Sequence, residues 1–212
     1  MSGSLLPKKR IIGIHGLSGS GKTTVSEVMK EELPNSILIP GDKHALGGIL
    51  KDKEGARNYF GRSFDDFDEL WDYLFRLDTP EQMHDYLLWV RQYVAESIVP
   101  LIHQYLAQGY DNIIIEYMIL QMIPQIWQNS ITDKVGIAAP QQIISNNLIE
   151  REGTDASPLF RDIQPYFNHG GKKTVIRNDS GLSDIVKKAI EYCKQVCSKS
   201  PAEIYKTFDK GF

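Results

Sequence analysis

The sequence predicts an α/β protein with a parallel five-stranded sheet flanked by helices. Short apolar runs bounded by turn residues recur along the chain, and helical patterns lie between them, which is typical of βαβ units. A length of 212 residues suits one domain with insertions better than two full-sized domains. Because 42% of residues are apolar and 24% are charged, as in average folded proteins, we expect an ordered core.

Five apolar runs are predicted to be the strands of this sheet. They are Arg10 to Ile14, Ser36 to Ile39, Asn112 to Glu116, Lys134 to Ala138 and Thr174 to Arg177. Lys22 to Leu33 has the pattern of a helix that Pro34 stops. A further helix is expected from about Pro140 to Gly153, and Ser183 is expected to cap another.

The segment from 43 to 108 differs from the rest of the chain. It is long, helical in pattern and rich in aromatic and acidic residues, so we expect a helical insertion within a single domain spanning 1 to 212. Aromatic side chains spaced by three, four and seven residues are typical of a helical core, and stacking on a ring of a ligand is the alternative. These side chains are Phe60, Phe64, Trp71, Tyr73, Phe75, Trp89 and Tyr93.

Charge, apolar runs and cysteine positions limit the classes of partner and the location that we expect for this protein. A net charge of −3 gives no overall field that would hold nucleic acid or an anionic membrane. No apolar run is long enough to span a membrane, and no signal-peptide core follows the N-terminus, so we expect a cytoplasmic protein with a small-molecule substrate. Cys193 and Cys197 share an apolar helix face, which favours core packing over a metal or redox site. The oligomeric state is left open.

The stretch "GLSGSGKTT" directly follows the first predicted strand. Gly16, Gly21, Lys22 and Thr23 fit the pattern G-x-x-x-x-G-K-[ST] between a strand and a helix. Glycines let successive backbone N–H groups point inward, and the helix N-terminus adds its positive dipole end. The pattern predicts a phosphate-binding loop (P-loop) for ATP, with Lys22 on the β- and γ-phosphates and the Thr23 hydroxyl on Mg²⁺. The predicted nucleotide-binding residues of the loop are Gly16, Ser18, Gly19, Ser20, Gly21, Lys22, Thr23 and Thr24.

Two carboxylates are predicted at the carboxyl edge of the sheet, where ligands bind in open α/β folds. Asp42 follows the second strand and would accept the proton of an attacking hydroxyl or orient Mg²⁺. Its alternative is a helix N-cap. Glu116 ends the third strand and would bind Mg²⁺ through water, with an ordinary strand-end carboxylate as the alternative. Which of the two is the base stays open.

Two arginines flank a polar segment, 151 to 170, that we expect to form a lid. Arg151 and Arg161 would place positive charge on the transferring phosphoryl group. Surface ion pairs are the alternative for both. The catalytic residues predicted in this way are Lys22, Asp42 and Arg151.

The core of the sequence, about residues 10 to 46 and 110 to 197, resembles dephospho-CoA kinases. "GSGKTTV" looks like the nucleotide loop of that family, and "PGDKHA" is similar to its acidic segment, with Asp42 on the position of the presumed base. "DKVGIAAPQQIISNNLIEREG" is similar to its fourth strand and the following helix, with Arg151 on the lid arginine.

The last strand extends the same resemblance. "TVIRNDSG" resembles the family's adenine-side loop, which puts Asn178 and Gly181 on nucleotide-binding positions. The resemblance implies phosphorylation of the ribose 3′-hydroxyl of dephospho-CoA with ATP and Mg²⁺, a step of coenzyme A biosynthesis. The helical insertion and Asn147, where an arginine is common, depart from the family pattern.

A second resemblance is to uridine kinases. "IIGIHGLSGSGKTTV" is similar to the opening of that family, "FDELWDYLFRL" to its acidic-aromatic segment and "IIIEYMIL" to its third strand. It implies a nucleoside or nucleoside monophosphate as the acceptor. A nucleotide-binding sensor without turnover is the remaining alternative.

Overall fold

A computed structural model describes residues 9–74, 79–117, 130–153 and 174–198. The five predicted strands are all present, with bounds within one residue of expectation. They are β1 (Arg10–His15), β2 (Ser36–Pro40), β3 (Asn112–Glu116), β4 (Asp133–Ala138) and β5 (Thr174–Arg177). The strands form one sheet in the order β2-β3-β1-β4-β5, and each neighbouring pair is parallel. The predicted fold class is confirmed.

The register of the sheet brings the carboxyl ends of its central strands together. Glu116, the last residue of β3, is level with Ile14 of β1 and with Pro40 of β2. The chain leaves β1 towards β2 on one side and reaches β4 on the other. The loop after β1 therefore lies at the topological switch point, where open α/β sheets bind their ligands.

Seven helices are found in the described part of the chain. They are α1 (Lys22–Glu32), α2 (Gly41–Lys51), α3 (Lys53–Phe60), α4 (Phe67–Leu74), α5 (Pro80–Ala107), α6 (Gln141–Glu152) and α7 (Leu182–Ser198). Four of them, α2 to α5, lie between β2 and β3. The helical pattern there begins at Gly41, two residues before the expected start of the insertion.

The sheet separates two apolar clusters, because successive side chains of a strand point to opposite faces. On β3, Ile113 and Ile115 join the cluster that contains α2 to α5, whereas Ile114 joins the cluster that contains α1 and α7. All five residues of β3 are buried, as expected for a strand covered on both faces.

Aromatic side chains fill the space between the inserted helices. The Phe60 ring makes edge contacts with the rings of Phe64, Tyr73 and Trp89, at centroid distances of 5.2 to 5.3 Å. Trp89 also contacts Tyr93. The core packing predicted for these aromatic residues is confirmed for the five named here, whereas Trp71 packs against the core and also lines a cavity. Phe75 lies outside the described residues.

Two local predictions on α7 were wrong. Ser183 was expected to cap this helix, but α7 begins at Leu182, because Asn178 Oδ1 already accepts the Gly181 N–H at 3.0 Å and closes the preceding turn. Cys193 is buried, but Cys197 is exposed. The buried stripe ends at Val196, so Cys197 lies just beyond it.

The described residues lack two features that would have widened the range of functions. None of their helices combines the length and the apolar character that crossing a membrane requires. Nor do they contain a group of three or more His, Cys, Asp or Glu side chains that could hold a metal ion.

The two cysteines are predicted to differ in reactivity. Burial raises the pKa of Cys193 to about 12, so almost no thiolate exists near neutral pH. We expect iodoacetamide to alkylate Cys197 quickly in the native protein and Cys193 only after unfolding, as followed by peptide mass spectrometry. The variant Cys197→Ser should lose the fast reaction. Rapid native labelling of Cys193 would contradict the packing of α7.

Candidate active site

The loop between β1 and α1 has the geometry that the sequence motif requires. It leaves the sheet after His15 and enters α1 at Lys22. Gly19 has a φ of +79°, a left-handed conformation that glycine adopts without strain. The first turn of α1 contains no acidic residue, so the positive end of the helix dipole is free to face an anion.

Neighbouring elements approach the loop too closely for any side chain at its glycines. A Cβ atom on Gly19 would lie 2.9 Å from the Ile144 carbonyl oxygen of α6, and one on Gly16 would lie 2.5 Å from the Ile137 carbonyl oxygen of β4. The same Gly16 Cβ would lie 2.9 Å from Ser20 Oγ. The buried Ser20 hydroxyl has no hydrogen-bond partner among the described residues and lies beneath the loop.

One face of α6 holds the loop by side-chain hydrogen bonds. Asn147 Nδ2 donates to the Gly19 carbonyl oxygen at 2.8 Å, and Arg151 donates to Ser18 Oγ at 2.9 Å. Because these residues are four positions apart, they share one side of the helix. Arg151 lies in the last turn of α6 and so begins the predicted lid from a helix.

Asn178 also holds the loop, from the end of β5. This residue follows β5 and is only 3% exposed. Its Nδ2 donates to the Ser20 carbonyl oxygen at 3.2 Å, and its Oδ1 accepts the Gly181 N–H at 3.0 Å. One side chain therefore links the phosphate loop to the start of α7.

Lys22 and Thr23 occupy the junction of the loop and α1. Lys22 is buried, and its Nζ donates to the Leu17 carbonyl oxygen at 3.2 Å. Thr23 Oγ1 donates to Glu116 Oε1 at 3.2 Å. A hydroxyl and a carboxylate together are the oxygen ligands that Mg²⁺ prefers, so the pair fits the predicted metal site.

Two cavities open on either side of this junction. The first has a volume of about 490 Å³ and is lined by Gly19, Gly21, Lys22, Thr23, Thr24, Asn147, Glu150, Arg151, Asn178, Gly181, Leu182 and Ile185. The second has a volume of about 330 Å³ and is lined by Ser18, Lys22, Thr23, Glu27, Leu38, Pro40, Asp42, Lys43, Phe67, Trp71, Glu116 and Arg151. Lys22, Thr23 and Arg151 belong to both.

Both predicted carboxylates line the second cavity. Asp42 is the second residue of α2, whose N-cap is Pro40, so the alternative in which Asp42 caps the helix does not apply. Glu116 is buried. Burial, and secondarily the charge of Asp42, raise the pKa of Tyr86 and of Tyr117 above the ordinary range. Asp42 thus has two neutral phenols as its electrostatic neighbours.

The predicted site residues are largely gathered in one place. Every described one lines a cavity except Gly16 and Ser20, which shape the loop. Arg161 and most of the expected lid lie outside the described residues. Their roles stay predictions.

The sequence reasoning missed residues that line the cavities beside the predicted ones. Glu150, Leu182 and Ile185 extend the first cavity, and Lys43 and Phe67 extend the second. Helical spacing would have found some of these residues. Phe67 precedes Trp71 by four positions, as Asn147 precedes Arg151.

Comparison with known proteins gives fold-level likenesses. No protein-family model and no curated protein matches this sequence. Among solved structures, TT1252 from Thermus thermophilus has 19% identity and a TM-score of 0.60, over 90% of this chain and 99% of that one. The tunicamycin resistance protein of Deinococcus radiodurans has 15% identity and a TM-score of 0.56, over 91% and 98%.

The chain has a P-loop NTPase-type fold. A gluconokinase from Sinorhizobium meliloti 1021 is a weaker likeness, with 16% identity and a TM-score of 0.47 over 95% of this chain and 97% of that one. Likenesses at these identities concern the architecture alone.

Replacing Gly19 by alanine tests the packing of the loop. Gly61 offers a matched control, because its φ of +74° is close to that of Gly19 but a Cβ there would meet nothing within 4 Å. Both changes strain the backbone by about 1 to 2 kcal/mol. We expect Gly19→Ala to lower the free energy of unfolding further, through contact with α6, and to weaken ATP binding.

Thermal unfolding and ATP titration by calorimetry measure the two effects. Gly61→Ala should bind ATP normally. Equal loss of stability in both variants, with normal ATP affinity, would show that the close approach of α6 does not shape the loop.

Proposed function

We propose that this protein is an ATP-dependent kinase that phosphorylates a hydroxyl group of a small molecule. The observation that carries the proposal is the meeting of two cavities at Lys22, Thr23 and Arg151. A phosphoryl group held by these residues would be accessible from the nucleotide side and from the opposite side. Such an arrangement suits transfer between two bound molecules.

The second cavity favours an organic acceptor over water. Hydrolysis of a nucleotide needs room for one water molecule, whereas this cavity has about 330 Å³ and aromatic walls from Phe67 and Trp71. Small-molecule sites are typically concave, partly apolar and supplied with a few polar groups. Asp42 supplies such a group beside the phosphate-binding residues.

The proposed reaction assigns a role to each charged side chain. Asp42 accepts the proton of the acceptor hydroxyl while the hydroxyl oxygen forms a bond to the γ-phosphorus of ATP. The bond between the γ-phosphorus and the β–γ bridging oxygen breaks at the same time, and ADP is released. Lys22 and Arg151 stabilise the negative charge on the transferring group and on the leaving phosphate. Asn178 and Gly181 are proposed to support the nucleoside side of the first cavity.

Thr23 and Glu116 are the residues proposed to hold Mg²⁺. Their side-chain oxygens are already paired at 3.2 Å, and hydroxyl and carboxylate oxygens suit this ion. Bound Mg²⁺ neutralises charge on the β- and γ-phosphates. The buried position of Glu116 keeps its carboxylate directed at the Thr23 hydroxyl.

For the acceptor we propose the ribose 3′-hydroxyl of dephospho-CoA. The proposal rests on the sequence similarity of "PGDKHA" and "TVIRNDSG" to dephospho-CoA kinases. A nucleoside or nucleoside monophosphate is the second candidate. It is favoured by the stacked rings of Phe67 and Trp71, whose centroids are 5.7 Å apart and whose planes differ by 15°. Both rings belong to the uridine kinase-like segment "FDELWDYLFRL".

A panel assay of ADP release tests the kinase proposal. Purified protein with Mg²⁺ and ATP would be incubated in parallel with dephospho-CoA, uridine, cytidine, other nucleosides and nucleoside monophosphates. We expect turnover with dephospho-CoA well above the rate with water alone. Turnover with a nucleoside only would favour the second candidate, whereas ATP binding without turnover on any acceptor would favour a sensor.

Replacing Asp42 by asparagine tests the proposed base. The amide cannot accept the hydroxyl proton, and general-base catalysis is worth roughly 100-fold or more in rate. We therefore expect kcat to fall by about 100-fold, with ATP affinity changed little. Asp68→Asn is the control, because Asp68 is exposed on α4 and does not line either cavity. A normal rate for the Asp42 variant would exclude this residue as the base.

A further inference from the structure

We propose that the acceptor of this kinase carries both a planar ring and an anionic group, which are bound by Phe67 with Trp71 and by Lys43 respectively. This inference rests on the proposed function and narrows its substrate class. All three side chains line the second cavity together with Asp42. The acceptor is therefore nucleotide-like, and neither a neutral nucleoside nor a sugar fits both groups.

The ring-binding part is one face of α4. Phe67 and Trp71 are one helical turn apart, and their rings are stacked with centroids 5.7 Å apart and planes 15° apart. The next face of the helix carries Leu70 and Leu74, which are buried in the core. Phe67 and Trp71 pack against the same core on one side, remain partly exposed, and line the second cavity. Two nearly parallel rings offer a flat surface for a third ring.

Local hydrogen bonds cap the start of α4, next to Phe67. Asp66 Oδ1 accepts the Glu69 N–H, and Glu69 Oε2 accepts the Asp65 N–H, each at 2.9 Å. Arg62 also pairs with Glu69, and Lys53 pairs with Asp65 at 3.0 Å. These contacts fix the first turn of the helix, which contains Phe67.

Lys43 is a cation of the second cavity that has no role in the proposed phosphoryl transfer. Lys22 donates to the Leu17 carbonyl oxygen and Arg151 donates to Ser18, and both also line the first cavity. Lys43 is exposed, lines only the second cavity, and adjoins Asp42 in the first turn of α2. An anionic group of the acceptor beside Lys43 would bring a neighbouring hydroxyl close to Asp42.

The combination selects among acceptor classes. A sugar or sugar acid has no planar ring for Phe67 and Trp71, and a neutral nucleoside has no charge for Lys43. A nucleoside with a phosphate ester has both, joined through a ribose that bears free hydroxyl groups. The structure thus favours an acceptor such as dephospho-CoA over uridine, on grounds independent of the sequence resemblance.

Direct binding to the second cavity tests the inference. The protein would first be saturated with Mg²⁺ and a non-hydrolysable ATP analogue, so that the first cavity is occupied. Dephospho-CoA, adenosine 5′-monophosphate, uridine 5′-monophosphate, uridine and gluconate would then be titrated separately by calorimetry. We expect at least one of the three ring-bearing anions to bind more tightly than uridine and gluconate by about 10-fold, the effect of one added charge contact.

Three variants and one control, Lys51→Gln, assign the binding to the proposed side chains. Lys43→Gln should weaken binding of the anionic probe by about 10-fold and leave uridine unaffected, while Lys51→Gln, an exposed lysine at the other end of α2, should change neither. Trp71→Leu should weaken every ring-bearing probe by about 10-fold, since stacking of one base is worth this much. Trp71→Phe keeps an aromatic ring and should restore most of the affinity, which separates stacking from folding.

The results distinguish failure of this inference from failure of the kinase proposal. Equal binding in wild type and Lys43→Gln, preferential binding of gluconate or uridine, or no binding of any ring-bearing anion would overturn the inference. ADP release with a neutral acceptor would do the same while leaving the kinase proposal intact. Binding that depends on Lys43 and Trp71 without ADP release would support the inference and count against the kinase proposal.

Discussion

The close approach of α6 to the phosphate loop is the contact on which the site depends. The Ile144 carbonyl oxygen occupies a position 2.9 Å from where a Gly19 side chain would begin. Only because that side chain is absent can Asn147 and Arg151 reach the loop with hydrogen bonds of 2.8 and 2.9 Å. The absence of a Cβ atom at Gly19 thereby lets Arg151, on the helix after β4, reach the loop between β1 and α1.

The loop is fixed at two places, which explains why distant parts of the chain contribute to one cavity. Asn178 binds the loop carbonyl of Ser20 from the end of β5. Buried hydrogen bonds of this kind stabilise a unique arrangement, since an unpaired buried amide is costly. The first cavity is lined by Asn147 and Arg151 of α6 and by Asn178. Leu182, which also lines this cavity, is 68% exposed.

The inserted helices give the phosphate junction a second face. The first of them, α2, starts directly at the edge of the sheet, where a Cβ on Gly41 would lie 2.8 Å from the Glu116 carbonyl oxygen. This tight contact sets Asp42 beside the end of β3. The longest helix, α5, packs against α2 and supplies Tyr86, a neutral neighbour of Asp42. The sheet with its phosphate loop and the inserted helices thus meet at one boundary.

Local patterns were enough to predict the sheet and the loop. Periodicity and turn residues located all five strands, and the spacing of Gly16, Gly21, Lys22 and Thr23 located the loop between β1 and α1, because both depend on neighbours in sequence. Side-chain pairings across the fold left no such signal: the sequence did not reveal that Asn147 binds Gly19 or that Phe67 and Lys43 line a cavity with Asp42. The predictions that Cys197 is buried and that Ser183 caps α7 were wrong for the same reason, since burial and the start of a helix depend on what packs nearby. The sequence by itself determined the five strands and the phosphate loop. Only the tertiary structure decided which distant side chains meet at that loop, because contacts between remote segments depend on packing and not on local spacing.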